Sequence, residues 1–382
     1  MTTVLLQKLK EKSFRSPVVL GEKFKIKTGG TPSRTRPDFY IGGTIPWVKT
    51  QELTDKRIYN TSEKITLEAV TKSNAKVFPA GSVLLAMYGA TVGKLGRLGI
   101  PAATNQACAA FIPNENSNQD YLYYLLLKNR RKIISEAVGA AQQNLSLDKI
   151  RSFEFEFPDL ETQKKIAEIL SAYDEKIENN NSIIKNLEAM AQIIFDEWFI
   201  KLRFPDYGKT KFIKSEIGLI PEGWQMQRLG DVVDLAYGKA LSSENREVGP
   251  YPVLGSSGIV GFHKNALVPG PGIVVGRKGN VGSITWVEQD FYPIDTTFFV
   301  VSKLDLHFCF FMLKRQAFHS GDSAVPGLNR EAAYSNSVLI PPKKLQEQYG
   351  RIVKKMFAQI SDEQKENHQL GTIRNLLLAK FI

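Results

Sequence analysis

The chain is poor in the residues that build reactive and metal centres. Its 382 residues hold two cysteines, Cys108 and Cys309, and four histidines, His263, His307, His319 and His368. Both cysteines sit in apolar surroundings, which predicts two buried, reduced thiols rather than a disulfide framework. The histidines show no ligand spacing, and two distant cysteines do not complete a zinc site. No apolar run approaches the roughly 20 residues of a membrane span. Met1 to Ser16 is polar and lysine-rich and lacks the apolar core of a signal peptide. The expectation is a soluble, cytoplasmic protein.

Catalytic signatures are missing too. A base-modifying methyltransferase needs a Gly-rich cofactor loop and an Asn/Asp-Pro-Pro-aromatic turn. Ile340-Pro341-Pro342-Lys343 has neither the polar nor the aromatic member. Gly89-Ala90-Thr91-Val92-Gly93-Lys94 is one residue short of a phosphate-binding loop and runs into Leu95, so it reads as a turn. Asp159 with Asp174-Glu175-Lys176 imitates a nuclease pattern, but the second part falls on a helix rather than on a neighbouring strand. Nothing resembles a serine or cysteine nucleophile with its base. The chain reads as a binder, not a catalyst.

What it does contain is positive charge and a repeat. The formal net charge of +11 favours a polyanionic partner, nucleic acid first. Val19-Leu20-Gly21-Glu22, running on to Thr28-Gly29-Gly30-Thr31-Pro32, is answered by Arg228-Leu229-Gly230-Asp231, running on to Ala236-Tyr237-Gly238-Lys239. Pro79 to Leu84 is answered by Pro269 to Val274, Gly89 to Gly93 by Gly279 to Gly282, and Thr104-Asn105-Gln106 by Asp295-Thr296-Thr297. Gln143-Asn144-Leu145 pairs with Gly327-Leu328-Asn329, and Phe157-Pro158, Leu160 and Gln163 with Pro341-Pro342, Leu345 and Gln348. The offset drifts from 209 down to about 185, so the second copy is shorter. A duplicated domain builds pseudo-two-fold symmetry into one chain.

Each copy alternates short strand-like stretches with Gly, Pro, Asn and Thr turns, and carries one helix, near Gln119–Val138 and Leu306–Phe318. After each globule the period changes. Leu170, Ile177, Ile184, Ala191 and Trp198 recur every seven residues, with Ile166, Tyr173, Asn180, Leu187 and Ile194 interleaved. That is a coiled-coil seam, and about 41 residues at 1.5 Å each make a rod of roughly 60 Å. Ile352, Met356, Ile360, Leu370, Leu377 and Phe381 form a second stripe, weakened by Glu363 and Asn367. Asn180 on the first seam either sets register or marks a solvated bend. Between the halves, Pro205 to Gln227 reads as an ordered connector in which Ile217, Ile220 and Trp224 want burial.

The expected fold is α+β: two mixed, mainly β globules at opposite ends of a stalk of two long antiparallel coiled-coil helices. The boundaries read as a first globule over 1–158, a helix over 159–204 and a connector over 205–227. A second globule follows over 228–342, and a second helix over 343–382.

These segments carry a likeness. Gly218-Leu219-Ile220-Pro221-Glu222-Gly223-Trp224 with Leu229-Gly230-Asp231, the Thr28 to Pro32 turn, Asn144-Leu145-Ser146, and the Pro158 to Leu170 run with Gln163 resemble the specificity subunit of type I restriction-modification systems. The likeness covers nearly the whole chain. It departs where the first globule lacks the Pro-Glu-Gly-Trp entry, and where Tyr237-Gly238-Lys239 replaces Thr28-Gly29-Gly30-Thr31. The resemblance implies two target-recognition domains, each reading one half of a split, asymmetric double-stranded DNA site. It implies that the helices fix the gap and dock two modification subunits that carry SAM and methylate adenine. Restriction subunits would add the ATP- and Mg-dependent nuclease, and this chain would bind no cofactor or metal. A stand-alone double-headed DNA-binding or regulatory protein is the alternative; an intrinsic nuclease or methyltransferase is disfavoured by the missing motifs.

Phosphate contacts are expected from Lys, Arg and glycine turns, and base readout from Arg, Lys, Asn, Gln, Ser and Thr. In the first globule the candidates are Thr28, Gly29, Thr31, Ser33, Arg34, Lys49, Gln51, Tyr88, Thr91, Lys94, Asn105, Gln106, Gln142 and Gln143. In the second they are Lys239, Ser256, Ser257, Arg277, Lys278, Asn280, Thr296, Asn329 and Arg330. Any one of them can instead satisfy a turn.

Overall fold

A computed structural model describes residues 15–137, 144–318 and 327–382. The chain divides into two compact units, one comprising residues up to Glu178 together with Asn367–Ile382, the other Asn179–Glu366. Each unit holds one globule and half of each long helix.

The first globule opens and closes on one antiparallel pair, Ser16–Val19 against Glu154–Phe157. Its five-stranded sheet runs Ile26–Thr28, Cys108–Phe111, Val83–Ala86, Leu95–Leu98 and Arg57–Ile58. A four-stranded sheet runs Lys64–Ile65, Ile45–Val48, Ala102–Thr104 and Val77–Phe78, with Trp47 beside Ala103 in a parallel pair. The unbroken apolar run Val83-Leu84-Leu85-Ala86 follows from burial on both sides of the sheet. Val83 and Leu85 face the main core with Tyr121 and Tyr124, whereas Leu84 and Ala86 face a second core with Val48, Leu53 and Phe78.

The second globule repeats this frame. Gln225–Arg228 pairs with Ser337–Ile340. Its main sheet runs Val233–Tyr237, Thr297–Ser302, Gly272–Gly276 and Ile284–Val287. A smaller sheet again contains a parallel pair, Tyr251–Gly255 with Tyr292–Pro293. Ile273 and Val275 face the main core, and Val274 joins a separate cluster with Leu254 and Phe291.

Both globular helices are shorter than predicted. The first breaks at Asn129 into Gln119–Lys128 and Arg130–Ser135, because the Asn129 side chain donates to the Leu125 carbonyl at 2.8 Å. The second ends at Lys314, where the Arg315 and Gln316 amides close a tight turn onto the Met312 and Leu313 carbonyls.

The first heptad region forms a helix over Leu160–Phe195, continued by a π-helical turn over Asp196–Ile200. The second helix spans Lys343–Phe381. Within each unit the two helices run antiparallel. In the second unit the Tyr349 hydroxyl donates to the Ala191 carbonyl at 3.1 Å, and Asn180 Nδ2 donates to Glu366 at 2.6 Å. In the first, Arg374 Nη1 donates to Asp174 at 2.6 Å, and Leu170 shares a core with Leu378 and Phe381. The fully buried Asn180, bonded to Glu366 of the facing helix, does not mark a solvated bend.

The ten predicted positions on the first helix, Ile166 through Trp198, are all buried or half-buried. On the second helix Met356, Ile360, Leu370 and Leu377 are buried or half-buried, but Ile352 is exposed, and Tyr349, Val353 and Phe357 are buried instead. The seam lies one residue over because this helix covers a globule as well as its partner helix. In the connector, Ile220 and Trp224 are buried as expected, Trp224 against Phe204 at 5.3 Å. Ile217 is not; it sits exposed between the hairpin strands Phe212–Ser215 and Gly218–Pro221, where no element covers it.

The globule–helix junctions share a frame but differ in chemistry. In the first unit Arg97, only 3% exposed, lies 4.2 Å over Tyr123 and bonds Asp120 at 3.0 Å and Asp174 at 3.4 Å. Burial disfavours its charge, yet the Tyr124 and Tyr123 phenols and the two carboxylates outweigh that and push the guanidinium above its ordinary value. In the second unit the equivalent positions hold Trp286, His307, Phe310 and Phe357. Trp286 stacks on His307 at 4.7 Å and meets Phe357 edge-on at 4.8 Å and Phe310 at 5.8 Å. An ion network in one repeat is an aromatic cluster in the other.

Candidate nucleic-acid interface

Strand ends and turns bring the predicted polar residues of the second globule together, and in the first they form smaller local groups. In the second globule the Gly276–Gly282 turn carries Arg277, Lys278 and Asn280. Gly279 and Gly282 turn it with positive φ of 79° and 75°. The Arg277 and Lys278 amides both donate to the Thr296 carbonyl, and the Leu328 amide donates to the Arg277 carbonyl. The Asn280 amide bonds Ser256 Oγ at 3.3 Å. Lys239 is tied in through its amide to the Pro293 carbonyl. Thus the turns bearing Lys239, Ser256, Ser257, Arg277, Lys278, Asn280, Thr296, Asn329 and Arg330 converge. Asn329 is also committed locally, since its side chain caps the short helix Arg330–Tyr334 by accepting from Ala332 N at 3.1 Å.

The first cluster has different internal pairing. Thr31 Oγ1 donates to Gln106 at 2.5 Å on the exposed surface. Arg34 meets Glu63 at 2.7 Å and Lys49 meets the same carboxylate at 2.6 Å. The Arg34 and Lys49 hydrogen bonds hold the Glu63 carboxyl below the usual carboxylate range, and the bond to Glu63 raises the Arg34 guanidinium. Arg34 also lies 4.4 Å over Tyr40 and 5.2 Å over Trp47. Lys94 and Gln51 are exposed, and Thr91 Oγ1 donates to the Tyr88 carbonyl. Ser33 bonds the Thr35 hydroxyl at 2.8 Å. Thr28 is half-buried at the end of its strand.

Two candidates serve turns and packing. Asn105 accepts from the Cys108 thiol, and Gly29 is buried where a Cβ would lie 2.0 Å from the Thr104 carbonyl oxygen. Gly238, its counterpart, is constrained alike, 2.2 Å from the Ile294 oxygen. Gln142 and Gln143, and His319, lie outside the described residues. Among the described residues no group of three or more His, Cys, Asp or Glu side chains could hold a metal ion, and no helix is long and apolar enough to cross a membrane.

A family profile described as the type I restriction modification DNA specificity domain matches residues 16–189 and 221–371, both globules and much of each helix. The chain belongs to this family. Among related specificity subunits, that of the type I restriction enzyme MjaIX from Methanocaldococcus jannaschii is 26% identical over 396 residues, covering 94% of this chain and 90% of the relative. That of EcoR124I/EcoR124II from Escherichia coli is 31% identical over 160 residues, 41% of this chain and 40% of the relative. The crystal structure of a type I restriction-modification S subunit from M. genitalium shares the fold, with a TM-score of 0.63 at 18% identity, covering 97% of this chain and 96% of that one.

Two residues of this specificity chain escape a search for polar readers. Glu63 decides whether Arg34 and Lys49 are available, and Tyr237 stands among the cations of the second cluster. The strand Val233–Tyr237 alternates inward Val233 and Leu235 with outward Asp234, which points Tyr237 inward, yet it emerges at the strand end 50% exposed.

Proposed function

We propose that this chain is the non-catalytic, DNA-reading subunit of a type I restriction-modification complex, with each globule reading one half of a bipartite, asymmetric site. The observation that carries this reading is a shared frame with unlike loops. Equivalent strands and turns present Thr31, Gln106 and a neutralised Arg34 in one copy, and Arg277, Lys278 and Arg330 in the other. Unequal surfaces on equal frames suit two unequal half-sites.

In this reading Lys94, Lys239 and Lys278 meet phosphates, and Thr31, Gln106, Asn280, Arg277 and Arg330 meet base edges. The long helices hold the gap between half-sites. Two modification subunits dock on them and supply SAM and adenine methylation, and restriction subunits supply the ATP- and Mg-dependent nuclease. The complex works in the cytoplasm. Mapping methylated adenines genome-wide with and without this chain tests the reading. The expected result is one split motif that vanishes when the chain is deleted. A chain that binds DNA yet neither retains a modification subunit nor changes methylation would instead be a stand-alone binder.

A further inference from the structure

The second loop cluster holds an arrangement that the first does not. Tyr237, half exposed, lies beneath two guanidinium groups: Arg277 at 4.9 Å and Arg330 at 5.1 Å from its ring centroid. Arg277 is braced further by Phe298 at 5.8 Å and by donating Nη1 to the Asp295 carbonyl at 3.0 Å. Arg330 is braced by Tyr334 at 5.7 Å. Tyr237 is itself fixed edge-on against buried Phe298 at 4.9 Å. Arg277 has no ion pair among the described residues, and Arg330 has only the largely exposed Glu331, 3.9 Å from its Nε.

We propose that Tyr237 positions Arg277 and Arg330 as a paired guanine reader, so that the half-site of the second globule contains guanine. The inference rests on the DNA-reading assignment above. Two cations held side by side over one ring repel each other unless an acceptor-rich ligand arrives. A guanidinium held against a ring and a carbonyl offers a fixed fork at little further entropic cost. The O6 and N7 of guanine match that fork in the major groove. Phosphates need only a mobile point charge, and exposed Lys239 and Lys278 beside the pair supply it.

Among the described residues the first globule lacks the device. Its residue equivalent to Tyr237 is Thr28, and Met87 stands in place of Arg277, since the Leu145 amide bonds the Met87 carbonyl just as the Leu328 amide bonds that of Arg277, which makes Leu328 rather than Asn329 the counterpart of Leu145. Leu147 opens the short helix that Arg330 opens in the second copy. The nearby Arg34 is already held by Glu63.

The test is methylome mapping of the chain co-expressed with its modification subunit in a host free of other adenine methyltransferases. Arg277→Ala and Arg330→Ala are each expected to relax a guanine position in one half of the motif, by roughly 10- to 100-fold in preference, leaving the other half intact. Arg277→Lys stays relaxed, because it keeps the charge and loses the fork. Tyr237→Leu relaxes the same half, and Tyr237→Phe, which keeps the ring, reads as wild type. Co-purification with the modification subunit confirms that each variant is assembled. A motif without guanine in the affected half would overturn the pair, as would a uniform loss of methylation with no relaxed position, the mark of phosphate contacts. Complete absence of chain-dependent methylation would overturn the DNA-reading assignment itself.

Discussion

Gln163 and Gln346 make the same two hydrogen bonds from equivalent points of the two repeats, so Gln346, not the Gln348 expected from the sequence, is the counterpart of Gln163. Gln163 Nε2 donates to the Pro158 carbonyl at 2.9 Å and its Oε1 accepts from the Asn118 amide at 3.1 Å. Gln346 does the same with the Pro341 carbonyl at 2.9 Å and the Asp305 amide at 3.2 Å. Each buried carboxamide thereby ties three pieces together: the end of a globule, the start of a long helix and the cap of the globular helix.

Gln163→Leu and Gln346→Leu each leave a buried carbonyl and a buried amide without partners. A cost of about 1–3 kcal/mol per orphaned group is expected, and a similar total for the two substitutions. Urea unfolding followed by near-ultraviolet dichroism measures it. A loss under about 0.5 kcal/mol for either would mean that the tie is dispensable.

Asp174 accepts from Tyr124 at 2.6 Å, Arg374 at 2.6 Å and Arg97 at 3.4 Å. Asp174→Ala strands Arg97 in the core with one remaining carboxylate, and about 3–5 kcal/mol should be lost. A denaturation midpoint unchanged from wild type would show that the network contributes no net stability.

Glu63 restrains two basic candidates of the first globule, Arg34 and Lys49. Its carboxyl is held below the usual range, so its contribution is complete above the unfolded value, about 4.3, and is lost only as pH falls through the lower folded value. Near neutral pH Arg34 and Lys49 therefore stay engaged. Glu63→Gln should release them, tighten non-specific DNA binding several-fold and steepen its salt dependence by up to about two charges. An unaltered salt slope in a fluorescence-anisotropy titration would count against this.

Burial pushes both the Cys108 and the Cys309 thiols up to about 12. At pH 8 neither is a thiolate or accessible, so Ellman's reagent should titrate no thiol in the native chain and two after denaturation. Rapid reaction of one thiol under native conditions would contradict its burial.

Much of this was legible in the residues, because its causes are local. The heptads had to make long helices, and the paired glycine turns had to mark equivalent corners. Features decided by distant neighbours were not legible. The exposure of Ile352 and the burial of Val353 depend on a helix touching a globule as well as its partner. Ile217 is apolar yet exposed, since only the hairpin's placement reveals that nothing covers it. Arg34 and Lys49 stood among the candidates without their partner, because Glu63 reaches them through strand pairing, and the exposure of Tyr237 depends on its place at a strand end.

The exchange of Arg97, Asp120 and Asp174 for Trp286, His307 and Phe357 makes the two halves of the chain non-interchangeable parts. Grafting the first globule onto the second pair of helix halves would press Arg97 against Phe357 where its own unit offers Asp174. The reverse graft would set Trp286 against Asp174 and leave that acid facing an indole. A chimera that swaps globules must therefore carry the helix residue at position 174 or 357 along with the globule, so the working cut lies inside the helix rather than at its start.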